Sequence, residues 1–281
     1  MKVMVAVDGS KFGRWAAQWI GRIPFMKRPD VRAVHVVDLA SLRAPFVVQP
    51  AMIGYGKFLQ DEAKRLEARA KKVRKQTASL LSAMEIPARV TVERGPVALM
   101  IIKRASGHGH LVVLGNRGLG DFDRFFLGSV SQQVTLHAPC SVLVVKQPPR
   151  PIGRILLAVD GSTASDLAVR FFLREMKPAK HYGTAVTVLH VLPPFAHSQV
   201  AMAEITVTHR YANRLAAAGY RVKEAYLPGD PAEEIVKAAK RLKADLVVAG
   251  AKGLGAVGRF LLGSVSTKLV RHCPCSILVV R

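Results

Sequence analysis

Residues 111–131 read LVVLGNRGLGDFDRFFLGSVS, and the same pattern returns as LVVAGAKGLGAVGRFLLGSVS at residues 246–266. Each copy opens with a short apolar run, which is typical of a strand buried on both faces. A glycine-rich turn follows, and each copy then reaches a Gly-Ser pair and a helix-like pattern. The backbone N–H groups at a helix start, together with a hydroxyl, can hold an anion. A strand, a glycine turn and a helix start in this order predict a phosphate-binding loop at the carboxyl end of a parallel sheet.

The glycines keep one spacing in both copies, Gly-x2-Gly-x9-Gly-Ser. They are Gly115, Gly118 and Gly128-Ser129 in the first copy, and Gly250, Gly253 and Gly263-Ser264 in the second. Glycine lets a ligand approach the backbone because it has no Cβ. A single motif of this kind is weak evidence, and two tight turns without a ligand are the alternative. The same spacing in two diverged copies favours the phosphate loop.

These motifs resemble the nucleotide-binding signature of the universal stress proteins, in their ATP-binding branch. The resemblance extends to the start of each half, Ala6-Val7-Asp8-Gly9-Ser10 and Ala158-Val159-Asp160-Gly161-Ser162. It also covers His35-Val36-Val37 with His190-Val191-Leu192, and the closing runs at 139–145 and 274–280. It therefore spans nearly the whole chain as a tandem pair.

The resemblance implies an α/β fold with two tandem domains, each a doubly wound, five-stranded parallel sheet of the universal stress protein and adenine nucleotide alpha hydrolase-like type. The alternation of strands and helices along each half predicts the same class. We place the first domain at 1–146, a proline-rich linker at 147–151 and the second domain at 152–281. In the family the last strand pairs two domains edge to edge, which here predicts an internal pseudo-dimer through residues 142–145 and 277–280. The resemblance also implies a homodimer.

Asp8 and Asp160 follow the first strand of each half, at the edge where open α/β sheets bind ligands. The resemblance implies that they approach the adenine and ribose of a nucleotide, while the alternative is that each carboxylate caps the following helix. Val36 and Val191 match the family position whose backbone meets the adenine edge. The implied ligand is ATP, or AMP or ADP, with or without Mg²⁺. The residues predicted to contact it are Asp8, Val36, Gly115, Gly118, Gly128, Ser129, Val130, Ser131, Asp160, Val191, Gly250, Gly253, Gly263, Ser264, Val265 and Ser266.

Cationic side chains flank both loops: Arg117 and Arg124 in the first, Lys252 and Arg259 in the second. They would strengthen phosphate binding through charge-assisted hydrogen bonds, or remain exposed loop cations. The sequence leaves both interpretations open. Because the first half has Gly95-Pro96-Val97 where the second has Gly229-Asp230-Pro231, we expect the first site to be the weaker one if the two differ.

No catalytic arrangement accompanies the loops in the sequence. An efficient ATPase needs residues that position water and stabilise the transferred phosphoryl group, and no Ser-His-Asp pattern, carboxylate pair or acidic Mg²⁺ cluster recurs beside either loop. We therefore expect a protein that binds ATP and acts in stress-response signalling by occupancy, with no catalytic residues and at most slow hydrolysis. An enzyme that slowly hydrolyses ATP or transfers a nucleotide is the first alternative, and a polyanion-binding protein is the second.

Composition narrows the class of protein further. No apolar run approaches the ~20 residues that span a bilayer, so we expect no membrane span. The three cysteines, Cys140, Cys273 and Cys275, do not make a disulfide framework, which favours a cytoplasmic location. The run His272-Cys273-Pro274-Cys275 is interpreted as structural, with no metal bound, because no second Cys/His pair has suitable spacing.

The charge is unusually positive, with a formal net charge of +23. Such a charge attracts polyanions over long distances, so nonspecific polyanion binding is plausible. Many of the cations lie in KRLEARAKKVRK at residues 64–75. The simpler interpretation of this run is the solvated face of an amphipathic helix, with Leu66, Ala70 and Val73 turned inward.

Overall fold

The structure is a computed structural model, and it describes residues 1–39, 55–108, 111–118, 127–178, 184–192, 198–252 and 262–281. The first half contains β1 (Lys2–Ala6), α1 (Lys11–Ile20), β2 (Asp30–Val37), α2 (Tyr55–Ala83), β3 (Ala88–Arg94), α3 (Val97–His108), β4 (Leu111–Gly115), α4 (Ser129–His137) and β5 (Ser141–Val145). The second half repeats this order with β6 (Arg154–Val159), α5 (Thr163–Glu175), β7 (Ala185–Leu192), α6 (Ser198–Ala217), β8 (Arg221–Pro228), α7 (Pro231–Arg241), β9 (Leu246–Gly250), α8 (Ser264–His272) and β10 (Ser276–Val280).

The ten strands form one sheet in the order β3-β2-β1-β4-β5-β10-β9-β6-β7-β8. Neighbouring strands within each half are parallel, which confirms the predicted doubly wound α/β class. The chain reverses its winding direction between β1 and β4, and again between β6 and β9. In open α/β sheets a crevice for ligands forms at such a switch point, outside the carboxyl ends of the strands.

The two halves meet through β5 and β10, which pair antiparallel. Leu278 stands opposite Leu143, with Ile277 opposite Val144 and Val279 opposite Val142. Every residue of these two strands is buried. An apolar, β-branched strand with an unpaired edge tends to pair with another strand. Here each half covers the edge of the other. The predicted edge-to-edge pairing within one chain is confirmed.

Helices cover both faces of the sheet, and each face has its own core. One core contains residues of α1, α2, α5 and α6, with Trp19 and Phe172 among its largest buried side chains. The other contains residues of α3, α4, α7 and α8. Alternate residues of β5 and β10 belong to each core, so both cores run continuously through the two halves. None of the helices in the described part of the chain has the length and apolarity that crossing a membrane requires.

One cation follows β5 and another follows β10, and each donates a hydrogen bond to the other half. Lys146 donates from Nζ to the carbonyl of Cys273 (2.8 Å), just beyond α8. Arg281 donates from its guanidinium to the carbonyl of Thr135 (2.6 Å) near the end of α4. A cation at a helix C-terminus is favourable because the last carbonyls are unpaired and carry partial negative charge. Each half therefore caps a helix of the other.

The proline-rich segment at 147–151 is held by both halves. Trp19 of α1 donates from its indole nitrogen to the carbonyl of Gln147 at 2.9 Å. Arg150 forms an ion pair with Asp245 at 2.8 Å, and the other oxygen of that carboxylate accepts from the backbone N–H groups of Gly153 and Arg154. These contacts fix the path of the chain as it enters β6.

Candidate nucleotide-binding site

The turn after β1 is built around Asp8, Gly9 and Ser10. Asp8 Oδ1 accepts a hydrogen bond from the backbone of Ser10 at 3.0 Å, and Ser10 Oγ accepts one from the backbone of Gly13 at 3.0 Å. Ser10 is therefore the N-cap of α1, so the capping alternative for Asp8 does not describe this turn. Gly9 has φ +82°, a conformation that glycine adopts without strain. The second oxygen of Asp8 remains available on the side of Gly118.

Gly118 lies directly beside this carboxylate. A Cβ at position 118 would stand 3.1 Å from Asp8 Oδ2. The glycine thus leaves open a space that any side chain would fill. Both residues were predicted to contact a nucleotide, and the structure brings them together although β1 and β4 lie far apart in sequence.

Gly115 and Gly250 are glycines for a different reason. A Cβ on Gly115 would lie 2.8 Å from the carbonyl carbon of Phe12 in α1. A Cβ on Gly250 would lie 2.7 Å from the carbonyl carbon of Ala164 in α5. These glycines allow a helix backbone to pass close to the end of a strand. The packing of the helix against the strand end therefore requires glycine at both positions, in addition to the ligand approach inferred from the sequence.

The start of α4 has the features of a helix N-terminus that binds an anion. Its N-cap is Gly128, which offers no side-chain hydrogen bond to the first turn, and Ser129 at the first helical position is exposed. Ser131 is buried, and its hydroxyl donates to the carbonyl of Gly115 at 2.7 Å. Ser131 therefore ties the helix start to the end of β4, and can offer a ligand only its acceptor oxygen. The same bond joins Ser266 to Gly250 in the second half.

A cavity of about 470 Å³ opens where these elements meet in the first half. All of the first-half residues predicted from the sequence line it. They are Asp8, Val36, Gly115, Gly118, Gly128, Ser129, Val130 and Ser131. Its volume falls in the range of about 300–1,000 Å³ that is usual for small-molecule sites. Its apolar wall includes Val97, Ile101 and Leu114.

Two cations stand at the edge of this cavity. Arg117 lines it and stacks its guanidinium 5.6 Å from the centre of the Phe12 ring. Arg69 reaches it from α2. His35 also lines the cavity, but it is buried, with Nδ1 2.8 Å from the carbonyl oxygen of Val7. The predicted loop cations Arg124 and Arg259 lie outside the described residues.

The second half repeats the scaffold around Asp160, Val191 and the start of α8, where Gly263 is the N-cap of a helix that begins at Ser264. Val265 follows half-buried, and Gly253 lies outside the described residues. Ser165 stands in the place of Gly13, and its hydroxyl donates to Asp160 Oδ1 at 2.7 Å. That oxygen also accepts from the backbone of Ser162. Asp160 is therefore more fully occupied by protein donors than Asp8.

Comparison with known proteins identifies the family to which this fold belongs. A model of the universal stress protein family matches residues 1–146 and 151–281. The chain belongs to the universal stress protein family. Universal stress protein Rv2005c of Mycobacterium tuberculosis is 28% identical over 294 residues, covering 99% of this chain and 96% of its own length.

A solved structure that covers the whole chain has the same fold. The crystal structure of a universal stress protein from Archaeoglobus fulgidus covers 100% of this chain and 98% of its own, with a TM-score of 0.73 and 21% identity. A shorter universal stress protein, solved in complex with cAMP, covers 46% of this chain and 97% of its own, with 26% identity and a TM-score of 0.37.

The cysteines of this universal stress protein are free and shielded. Burial raises the pKa of Cys140 and of Cys275 to about 11, and that of Cys273 to about 12. At neutral pH these thiols stay protonated, so they are poor nucleophiles and poor metal ligands. Across the described ranges, no group of three or more His, Cys, Asp or Glu side chains is placed to hold a metal ion.

Sequence reasoning missed several residues of the universal stress protein cavity. Leu66 and Arg69 line it from α2, and Gly13 lines it from α1. The inward turn of Leu66 was visible in the helical spacing, but the spacing did not show which loop α2 would face. Gly13 belongs to no recognisable motif. The structure shows why it is glycine, because a Cβ there would lie 2.5 Å from Asp8 Oδ1.

Proposed function

We propose that this universal stress protein binds ATP, or a close adenine nucleotide relative, and acts in a stress response through the occupied state. The observation that carries the proposal is the first-half cavity at the switch point of the sheet. It joins an apolar wall and a carboxylate at the strand ends to an uncapped helix start. An adenine nucleotide has matching parts: a flat apolar base, a ribose with hydroxyl donors, and phosphates.

The base and ribose would lie between β1, β2 and α3. Val36 is near the end of β2, where backbone groups of the strand can meet the edge of the base. Val97 and Ile101 from α3 supply apolar contact for its face. Asp8 would accept hydrogen bonds from ribose hydroxyls through the oxygen on the Gly118 side. Charged acceptors make such bonds stronger than neutral ones.

The phosphates would lie at the start of α4. Gly128 and Ser129 line the cavity there, so backbone N–H groups of the first turn and the Ser129 hydroxyl are within its wall. Arg117 and Arg69 add positive charge at the same end. A helix N-terminus with nearby cations is a standard environment for phosphate. Mg²⁺, where present, would arrive bound to the polyphosphate.

We further propose that the bound nucleotide is turned over slowly at most. Asp8 and Asp38 are the carboxylates in the described lining of the cavity, and His35 is held against Val7. A helix start holds the phosphates of substrate and transition state about equally, and uniform binding does not accelerate the chemical step. Occupancy of the site would then be the signal, because it persists without conversion of the ligand.

The test is titration calorimetry of ATP into the full chain after copurified nucleotide has been removed. We expect saturable binding, and we expect Gly118→Leu to abolish binding at the first site because its side chain would enter the space beside Asp8. Gly56→Leu is the matched control, since a Cβ at Gly56 meets open space and should leave binding intact. Hydrolysis should stay well below about 1 s⁻¹, the low end of ordinary enzymes.

Two results would overturn the proposal. Absence of ATP binding by the stripped, folded chain would remove the nucleotide assignment. Multiple turnovers at about 1 s⁻¹ or faster, in a preparation where Ser129→Ala lowers the rate in step with binding, would favour the enzyme alternative.

A further inference from the structure

The outer face of α2 carries a row of lysines that the nucleotide site does not use. We define the lysine face as Lys64, Lys71, Lys72 and Lys75, all of which are exposed. At roughly 100° per residue these positions fall on one side of the helix. The opposite side is buried, with Ala70 and Val73 at 1% and 4% exposure, as the amphipathic interpretation predicted. Leu66 lies on the buried side and Arg69 lies between the two sides, and both line the cavity.

Two of the three acidic residues of α2 pair with arginines, and the third, Asp61, is exposed about one turn before Lys64. Glu62 pairs with Arg65 at 2.6 Å, and Glu67 pairs with Arg94 of β3 at 2.7 Å. Within the part of the chain that the structure describes, no carboxylate lies within ion-pair distance of Lys64, Lys72 or Lys75. These three lysines therefore present their charge to solvent without an ion pair among the described residues, whereas Arg94 and, to a smaller extent, Lys71 lower the pKa of the Glu67 carboxyl. The net charge of the chain is +23.

A groove with one polar and one apolar side adjoins the basic surface beside the helix. It has a volume of about 600 Å³ and lies between α1 and α2. Arg14, Lys75, Gln76, Thr77 and Ser79 line its polar side. Arg14 donates to the carbonyl of Gly9 at 2.9 Å, which holds its guanidinium at the groove. The basic surface is thus broader than a single row of side chains.

We propose that the lysine face and this groove bind the phosphate backbone of nucleic acid without sequence preference. The four lysines extend over about 16 Å of helix at 1.5 Å per residue. A DNA duplex presents roughly ten phosphate charges over that length, at one charge per ~1.7 Å. An anionic membrane surface is a poorer match, because interfacial helices insert a large apolar face beside their cations. Here Ala68 lies between the lysines and Ser79 lies about one turn beyond Lys75, and both are small.

Binding of this kind has a defined dependence on salt. Each neutralised phosphate releases counterions and contributes about −0.9 to the slope of log affinity against log salt concentration. Loss of four lysine contacts should therefore reduce the slope by about 3 to 4. A protein attracted only by its net charge would lose the same amount wherever four lysines were removed.

The experiment measures binding of a fluorescent mixed-sequence DNA duplex of about 20 base pairs by anisotropy, between about 50 and 200 mM salt, where phosphate contacts have their largest effect. One variant carries Lys64→Gln, Lys71→Gln, Lys72→Gln and Lys75→Gln. The control carries Lys2→Gln, Lys103→Gln, Lys223→Gln and Lys240→Gln, four exposed positions scattered over the surface. Both variants have the same net charge.

We expect the lysine-face variant to bind DNA at least tenfold more weakly, with the reduced slope, and the control to lose less than threefold. ATP affinity should be unchanged in both variants, which would show that they are folded and that the DNA surface is separate from the nucleotide site. Equal losses in the two variants would overturn the proposal, as would stronger binding to anionic vesicles than to DNA. Lack of DNA binding by the unmodified chain at about 50 mM salt would also overturn it, whatever the outcome of the ATP titration.

Discussion

The end of β4 and the end of β9 meet a helix in the same way, yet the turns beside them differ. Gly115 and Gly250 both admit a helix backbone so closely that a Cβ would stand within 3 Å of it. At the neighbouring turn, the first half has Gly13 next to Asp8, whereas the second has Ser165 bonded to Asp160. The contacts that build the scaffold are repeated, and the contacts around the candidate ligand carboxylate have diverged.

This difference bears on which site binds more tightly. The sequence led us to expect the first site to be the weaker of the two. From the structure we predict the opposite order, because Oδ1 of Asp160 accepts two hydrogen bonds from its own turn, whereas Oδ1 of Asp8 accepts one. A residue pair outside every motif therefore distinguishes the two sites.

The largest expected effect tests the shared scaffold. Gly115→Ala and Gly250→Ala should each lower the free energy of unfolding by about 3 kcal/mol, the upper range for overpacking, because the new methyl group meets backbone that cannot move aside. Urea unfolding measures this change. Gly153→Ala is the control, since its Cβ would make an ordinary contact at 3.6 Å and should cost little. Tolerance of one glycine substitution and not the other would show that the two scaffolds are not equivalent.

The next effect tests the difference between the turns. Gly13→Ser should displace Asp8 and weaken ATP binding at the first site about tenfold, or 1.4 kcal/mol. Ser165→Gly should release Asp160 and strengthen the second site several-fold. Titration calorimetry of the unmodified chain should resolve two nucleotides with the first site tighter. If Gly13→Ser left that site unchanged, the turn would not be the source of the difference.

Serines at the helix starts give a third comparison, this time within each half. Ser129→Ala and Ser264→Ala should each weaken ATP binding by roughly 1 kcal/mol or somewhat more, the scale of a hydrogen bond to a charged group, with no change in unfolding. Ser131→Ala and Ser266→Ala should instead lower stability by about 1 kcal/mol, because they lose a buried bond to a strand carbonyl. Calorimetry and urea unfolding on the same four variants separate the roles. Destabilisation by Ser129→Ala would contradict the assignment.

The smallest effect compares the two cations that join the halves. Burial lowers the pKa of Lys146 from 10.5 to about 8, so the folded chain sheds this proton before the unfolded chain does. The penalty for burying the ammonium is fully present below pH 8 and is relieved as the pH rises toward 10.5. Relative to Lys146→Met, the unmodified chain should therefore gain about 0.7 kcal/mol of stability from pH 7.5 to 8.5.

The difference between two chains is needed for this measurement, because the cysteine thiols, whose ordinary pKa is 9.0, begin to lose protons in the unfolded chain over the same interval and act in the opposite direction. Arg281→Met is the matched control. The guanidinium keeps its proton in proteins, so the stability difference between Arg281→Met and the unmodified chain should not vary over this pH interval. A flat profile for Lys146→Met as well would mean that Lys146 keeps its ordinary pKa in the folded protein.

Much of this molecule could be read from the sequence because its determinants are local. Apolar runs such as 111–114 and 246–249 specify doubly buried strands without reference to the rest of the chain. Ser10 and Ser162 mark helix starts by a bond to a residue three positions away. The repeated spacing then fixed the order of elements in both halves. The apolar edge strands also indicated that the halves would pair with each other.

Only the tertiary structure decided how distant residues act on one another. It showed that Gly115 is required by Phe12 in α1, that Arg69 of α2 reaches the cavity, and that Lys146 caps a helix of the other half. Among the described residues, it also showed that Lys64, Lys72 and Lys75 have no ion pair, since Glu62 and Glu67 pair with arginines. Such contacts depend on the three-dimensional approach of segments, and no sequence spacing encodes that approach. The sequence therefore determined the elements and the type of site, and packing determined which residues share it.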